Sequence, residues 1–481
     1  MKEQDFKKNV VRGTVILFLV KLILLPISII LSIILARLLE PVHFGIYGIL
    51  SLFIETSRQI SEWGLVAFLI QKYESPDIRE YRTVFTLRLI ISIFFLILIW
   101  LLLPFLEKVF KLPSESILMA KVFSSVLIIG TLSAVSSAIL YRRLQFKRIG
   151  LLYIISVLGY QIPAVVLAFL GFRAWSFIWA SVISVSIYTI SCFIFSPWKI
   201  GFFLYRPVIK RILEFGSFFQ LTHIVALIRD NIIPILGGIF FGPQAVGYLS
   251  WAYSSVLRLS ALFHQSVGSI AFPAFSRIQN NLEAVSRFFS KSIRYLMLFT
   301  APIMFILFAL SYEVILIIFK PKWIPAIPAL ILFGFLSLLG HFTTIGDNLL
   351  KGIGKVKKNF LIMSIWTILS WAVSLSTLKP LGYNSIALGW TLSALVPAIW
   401  ITIIVGRNYP LDLRGILNPI LASAISAFLV FLLKSLIEIN IYTLFLLGGF
   451  GLCLYLIILW ILEGKRLLRE LLELSSLLRF K

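Results

Sequence analysis

Runs of about twenty apolar residues, bounded by basic clusters, recur from Val10 almost to the end of the chain, and they restrict the fold more than any motif does. In hydrocarbon a peptide N–H or C=O has no water to bond, so a spanning segment must satisfy its own backbone. Runs of this length do so as α-helices, whereas barrel strands are short and alternating. With 60% hydrophobic and only 13% charged residues among 481, the chain reads as an all-α polytopic membrane protein. Transmembrane helices are expected around Leu24, Ser57, Phe94, Ile129, Tyr160, Val185 and Ala226, and again around Leu259, Phe305, Ser337, Leu369, Ala394, Ala427 and Gly451, about fourteen in all.

The formal charge of +24 invites a nucleic-acid reading, but the placement of the cations argues for topology. Lys2, Lys7, Lys8 and Arg12 precede the first span; Arg142, Arg143, Lys147 and Arg148, then Arg277, Arg287, Lys291 and Arg294, then Lys351, Lys355, Lys357 and Lys358 sit in loops after even-numbered spans. The opposite side holds only scattered cations such as Lys108, Lys111, Arg173 and Lys379. By the positive-inside rule both termini are cytoplasmic, and no nucleic-acid partner is implied. Cys192 and Cys453 lie in apolar spans, where a thiol acts as a small hydrophobe, and the four histidines have no ligand spacing, so neither a metal nor another cofactor is expected. The tail "GKRLLRELLELSSLLRFK" places Leu467, Leu471, Leu474 and Leu478 on one face and Arg466, Glu470 and Glu473 on another, suiting an interfacial helix.

The chain repeats itself. "LLEPVHFGIY" at Leu38 returns as "FFGPQAVGYL" at Phe240, aligning Pro41 with Pro243 and Gly45 with Gly247, and two further matches follow in the same order. This implies two pseudo-symmetric six-helix lobes, residues 1–208 and 209–408, followed by two helices and the amphipathic tail in 409–481. Repeats of this parallel kind place a substrate site near mid-membrane where the lobes meet, and rocking gives alternating access.

Ionisable groups near span centres are the candidates for that site. Lys21, Glu55, Arg58, Arg229, Asp230 and Arg258 would each cost about 2.5 to 3.5 kcal/mol if they faced lipid at a helix centre. Ser51, Glu55, Arg58, Gln59 and Glu62 form one helical stripe; Thr14, Lys21, Ser28 and Ser32 a second; Trp251, Ser254, Ser255, Arg258, Gln265 and Ser269 a third. His223 stacks with Asp230; Arg229, about 100° away, faces a neighbouring helix or the cavity wall and need not pair with Asp230; Pro234 weakens the helix a turn later. Lys21, Arg58, Arg229 and Arg258 are therefore the expected substrate-binding cations, and Glu55, Glu62 and Asp230 the cavity carboxylates that could carry a coupling H+ or Na+. The alternative is that these residues are structural salt bridges. Arg88 and Lys121 read as snorkelling groups, Asp347 and Lys351 as a helix-end pair, and His341 as an interior histidine.

The segments "WGLVAFLIQK" from Trp63, "YRRLQFKRIGLL" from Tyr141, "LGFRAWSF" from Leu170, "SPWKIGF" from Ser196, "DNIIPILGGIFFGPQAVGYLSWA" from Asp230 and "AFPAFSRIQ" from Ala271 resemble the Wzx-type polysaccharide exporters, the O-antigen and colanic-acid exporter branch of the MOP superfamily that also holds lipid II flippases and MATE transporters. The resemblance implies a non-enzymatic flippase of the cytoplasmic membrane. Its cationic cavity would take undecaprenyl-pyrophosphate-linked oligosaccharide, with membrane lipids and other polysaccharide-assembly proteins as further partners. A MATE-like ion-coupled exporter of small organic cations is the alternative, and would want carboxylates to predominate in the cleft. A membrane enzyme would want a larger outside loop than any found here.

Overall fold

The computed structural model describes residues 3–62, 64–71, 75–407, 411–464, 466 and 470, and of these all side chains except those of 3–12, 14, 212–223, 261–262, 264–269 and 282. It divides into two compact units, Met1–Trp251 and Ala252–Lys481. The first contains α1 (Glu3–Leu38), α2 (Pro41–Glu62), α3 (Leu65–Gln71), α4 (Ile78–Val109), α5 (Glu115–Arg142), α6 (Phe146–Phe169), α7 (Trp175–Phe195), α8 (Arg206–Asp230) and a π-helical segment, Ile233–Phe241. Helix α9 (Pro243–Ile278) carries the chain from the first unit into the second. There follow α10 (Leu282–Ala309), the short α11 (Ser311–Val314), α12 (Ile327–Gly352), α13 (Val356–Ser376), the short α14 (Leu378–Leu381), α15 (Asn384–Ser393), α16 (Leu395–Gly406), α17 (Leu413–Leu433) and α18 (Ile441–Glu463).

Among the described residues, 11 helices are long and apolar enough to cross a bilayer, or up to 12 if the bent pair Ile224–Asp230 and Ile233–Phe241 is one span. The two remaining segments read as spans, around Ser57 and Leu259, are helical as α2 and α9 but are not among these. Charge explains why α2 is less apolar than the others, since it carries Glu55, Arg58 and Glu62. Large apolar side chains such as Leu101, Phe169, Ile194 and Ile461 are exposed, as a lipid-facing surface requires.

Polar side chains mark where helices start and where they meet. Asp77 caps α4 reciprocally with Glu80, and Asn440 caps α18 with Thr443, satisfying amides that lipid could not. Between helices, Ser92 and Thr131 bond at 3.0 Å, and the Ser426 hydroxyl donates to the Gly451 carbonyl at 2.6 Å. His341 is fully buried, with Nε2 2.6 Å from the Thr300 hydroxyl. Lys351 donates to Asp347 at 2.7 Å, the helix-end pair expected from their spacing.

The repeated Pro/Gly motif is also a contact. A Cβ built at Gly45 would collide with the Pro243 carbonyl oxygen, and one built at Gly247 with the Pro41 carbonyl oxygen. The aligned positions thus meet reciprocally at the starts of α2 and α9, where only glycine allows the backbones so close.

In the second unit, Arg294 of α10 is 1% exposed rather than lying in a basic loop as its sequence grouping suggested. It donates to the Gly415 carbonyl at 2.8 Å, to both carboxylate oxygens of the equally buried Glu463, and to Glu470 at 2.9 and 3.0 Å. Asn418 adds a bond to Glu463 at 3.0 Å. Arg466 bridges Asp412, the N-cap of α17, to Glu470. The described charges of the tail therefore bind protein instead of forming a solvated face; Leu467, Leu471, Leu474 and Leu478 lie outside the described residues.

Two outcomes follow from this network. Arg294→Ala, which strands the Glu463 carboxylate in the interior, is expected to cost about 3 to 5 kcal/mol, and Arg294→Ala/Glu463→Ala should recover part of that loss in a denaturation midpoint. The bound Arg466 guanidinium holds the Asp412 carboxyl below its ordinary value. A depressed folded-state value means that its contribution is complete above the unfolded value of about 4 and is lost only as pH falls through the folded one. Hydrogen-exchange protection around Gly415 should accordingly be flat from pH 8 to about pH 5 and fall only in stronger acid.

Candidate functional site

Helix α2 separates its residues by face. Ile46, Ile49, Leu50, Ile54, Ser57 and Ser61 are buried, while the side chains of Glu55, Arg58 and Glu62 are 48, 42 and 41% exposed. The Arg58 Nε donates to Glu55 Oε2 at 2.7 Å, and Nη1 lies 3.8 Å from Glu62 Oε2. Because all three groups are on one helix and open, the pairs join no two helices and contribute only about 0.3 to 0.5 kcal/mol each. The Glu55–Arg58 pair that the salt-bridge alternative calls for is therefore present, within one helix. Ser51, by contrast, has its hydroxyl sealed from water and does not share the open face.

At the end of α8 the expectation for Arg229 and Asp230 needs correction. The two do pair, Arg229 Nε donating to Asp230 Oδ1 at 2.8 Å, with Arg229 15% and Asp230 51% exposed. Pairing of neighbours is possible because the helix ends there: Asn231 is the C-cap, its side chain donating to the Leu227 carbonyl at 2.8 Å. Pro234 lacks an N–H, and its ring would strike the carbonyl four residues back, that of Asp230. The chain resumes as the π-helical segment after a 44° bend. Pro234 thus has the weakening effect read from the sequence.

Lys21 of α1 is half-buried, its Nζ 5.7 Å from the centroid of the Tyr153 ring. Arg258 is half-buried on α9, in the second unit, with Ser254 one turn before it. His223, Gln265, Ser269 and Thr14 have side chains outside the described set. Lys121 is exposed, 5.9 Å from the Trp100 ring, in keeping with a snorkelling role. Arg88 is not: it is only 7% exposed, and its electrostatic neighbours are Glu62, Arg58 and the Tyr188 hydroxyl. Sequence reasoning missed it because the helix count put Arg88 near a span end, whereas α4 starts at Ile78 and carries Arg88 about 15 Å along its axis.

A helical chain with 11 helices, or up to 12, long and apolar enough to cross a bilayer among its described residues defines a polytopic membrane protein. Residues 34–328 match the family described as polysaccharide biosynthesis protein, and the chain belongs to that family. It is 26% identical over 385 residues to the succinoglycan biosynthesis transport protein ExoT of Rhizobium meliloti (strain 1021), covering 77% of this chain and 72% of that protein. It is 22% identical over 335 residues to the lipopolysaccharide biosynthesis protein WzxC of Escherichia coli (strain K12), covering 68% of this chain and 65% of WzxC, just under two thirds of its length. The fold is similar to that of the lipid II flippase MurJ in an inward closed conformation, with a TM-score of 0.76, 16% identity, and coverage of 94% of this chain and 98% of that one.

If the open face of α2 is wet, its positions should react with a charged thiol reagent that cannot enter lipid. With Cys192 and Cys453 replaced, Glu55→Cys is expected to label rapidly and Ser57→Cys, at a site 4% exposed, at least about tenfold more slowly. Equal rates would remove the distinction between the two faces.

Proposed function

We propose that this protein is a flippase moving undecaprenyl-pyrophosphate-linked oligosaccharide from the cytoplasmic to the outer leaflet of the cytoplasmic membrane by alternating access, for cell-surface polysaccharide assembly. The observation that carries this reading is the exposed set of Glu55, Arg58 and Glu62 on one face of α2, a helix whose opposite face is buried. Facing lipid would be costly for such groups, so this face is read as lining water, which a polar substrate also needs. Lys21, Arg58, Arg229 and Arg258 are the cations that meet the phosphates, arginine offering two parallel donors to an oxyanion. Glu55, Glu62 and Asp230 temper this charge, and one of them carries a coupling H+ or Na+. Taken together the cations outnumber the carboxylates, which favours an anionic substrate over the organic cations of a MATE-like exporter. The concentration of Lys and Arg in alternate loops supports a cytoplasmic position for both termini.

Arg58→Ala, Arg229→Ala and Arg258→Ala should each lower surface glycan display by at least about tenfold while leaving the protein in the membrane. Lysine at the same positions should restore display in part. Full display in all three alanine variants would remove the cationic site, and with it this mechanism.

A further inference from the structure

The turn between α5 and α6 has a counterpart in the second unit that lacks its bulk. "ILYRRLQFKR" at Ile139 aligns with "LLKGIGKVKK" at Leu349, setting Leu144 against Gly354, Phe146 against Val356, and the cations Lys147 and Arg148 against Lys357 and Lys358. Leu144 and Gly354 both have a left-handed backbone, with φ of 52° and 74°. Glycine takes that conformation without penalty, whereas a leucine is strained in it. The first turn keeps a side chain where the second has none, and strain of this kind persists where the side chain serves a site.

Leu144 lines a groove of about 390 Å³. Ile16 of α1 and Phe146 of α6 continue its apolar wall, and Gln145, Lys147 and Arg148 supply its polar side. The two helices meet closely here: a Cβ built at Gly13 would strike the Phe146 ring. Their apolar spans begin at Val15 and Phe146, so the groove lies where hydrocarbon gives way to lipid headgroups. Lys147 is exposed and has no hydrogen bond or ion pair among the described residues. Arg148 is held in place, its Nη1 donating to Gln145 Oε1 at 2.9 Å and to the Phe195 carbonyl at 2.7 Å. Its Nε and Nη2 have no hydrogen-bond partner among the described residues.

We infer that this groove, wholly within the first unit, binds an anionic phospholipid of the surrounding membrane. Lys147 and Arg148 take the phosphate, and Ile16, Leu144 and Phe146 take the first part of an acyl chain. Two cations beside an apolar wall at the headgroup level match a charged head joined to a chain; free phosphate would leave the wall uncovered, and a zwitterionic lipid would bring an ammonium toward the cations. Only 6% of the most apolar stretch of α1 is buried, so a lipid seated against α1 and the α5–α6 turn adds packing that the chain does not supply there. The site does not depend on what the protein carries.

The test is native mass spectrometry of the full-length protein in detergent, titrated with phosphatidylglycerol and with phosphatidylcholine. Phosphatidylglycerol should bind the wild type at least about tenfold more tightly. Lys147→Ala/Arg148→Ala should abolish that preference, whereas Lys357→Ala/Lys358→Ala, which removes equal charge from the matching turn, should change it by no more than about twofold. Leu144→Gly, which relieves the strain but strips the wall, should weaken phosphatidylglycerol about three- to fivefold in a protein that stays folded. If the double variant does not fold, Lys147→Ala, at an exposed position, carries the test with an expected loss of about threefold or more. Equal losses in the two double variants would reduce the effect to general surface charge and overturn the site. So would equal affinity for the two phospholipids, displacement of phosphatidylglycerol by inorganic phosphate, or tighter binding of undecaprenyl phosphate, which would give the groove to a carrier lipid. None of these arms reads glycan display, so the flippase reading is decided separately.

Discussion

Every polar group in this protein lives under one constraint: within hydrocarbon it must find a partner in the chain, or water that the chain admits. The backbone meets it by helix formation almost throughout. Where the ladder breaks, between Asp230 and the segment beginning at Ile233, side chains intervene, Asn231 taking the Leu227 carbonyl. The serines and threonines of the spans do the same on a smaller scale, most of them donating to carbonyls three or four residues back, as Thr131 does to Leu127 and Ser370 to Trp366.

Three arginines show three answers to that constraint. Arg294 is sealed and compensated by two carboxylates and a carbonyl, which makes it a fixed part of the second unit. Arg58 is half open and loosely paired along its own helix, so an incoming oxyanion can compete for it. Arg88 is enclosed but unbonded among the described residues. Burial alone would group the first and third together. The presence of hydrogen-bonding partners separates them, and it is this second property that distinguishes a structural charge from one available to a ligand.

Features set by local periodicity were legible in the sequence. The long apolar runs located α1, α4 to α7, α10, α12, α13, α15 with α16 as one span, α17 and α18, the stripe arithmetic identified Glu55, Arg58 and Glu62 as neighbours, and Pro234 marked the break after α8. The pairing of Arg229 with Asp230 was misjudged because helical angles were applied where the helix was already ending. Arg294 and Arg88 were misjudged for another reason. Helical arithmetic tells which residues share a face, but not what lies opposite, and Glu463 and Tyr188 are brought to these arginines only by tertiary packing.

The reciprocal approach of Gly45 to Pro243 and of Gly247 to Pro41 makes the two copies of the motif a single steric unit. Each copy of the motif sets the steric limit for the other: a methyl group gained at either glycine is rejected by the carbonyl of the opposite proline.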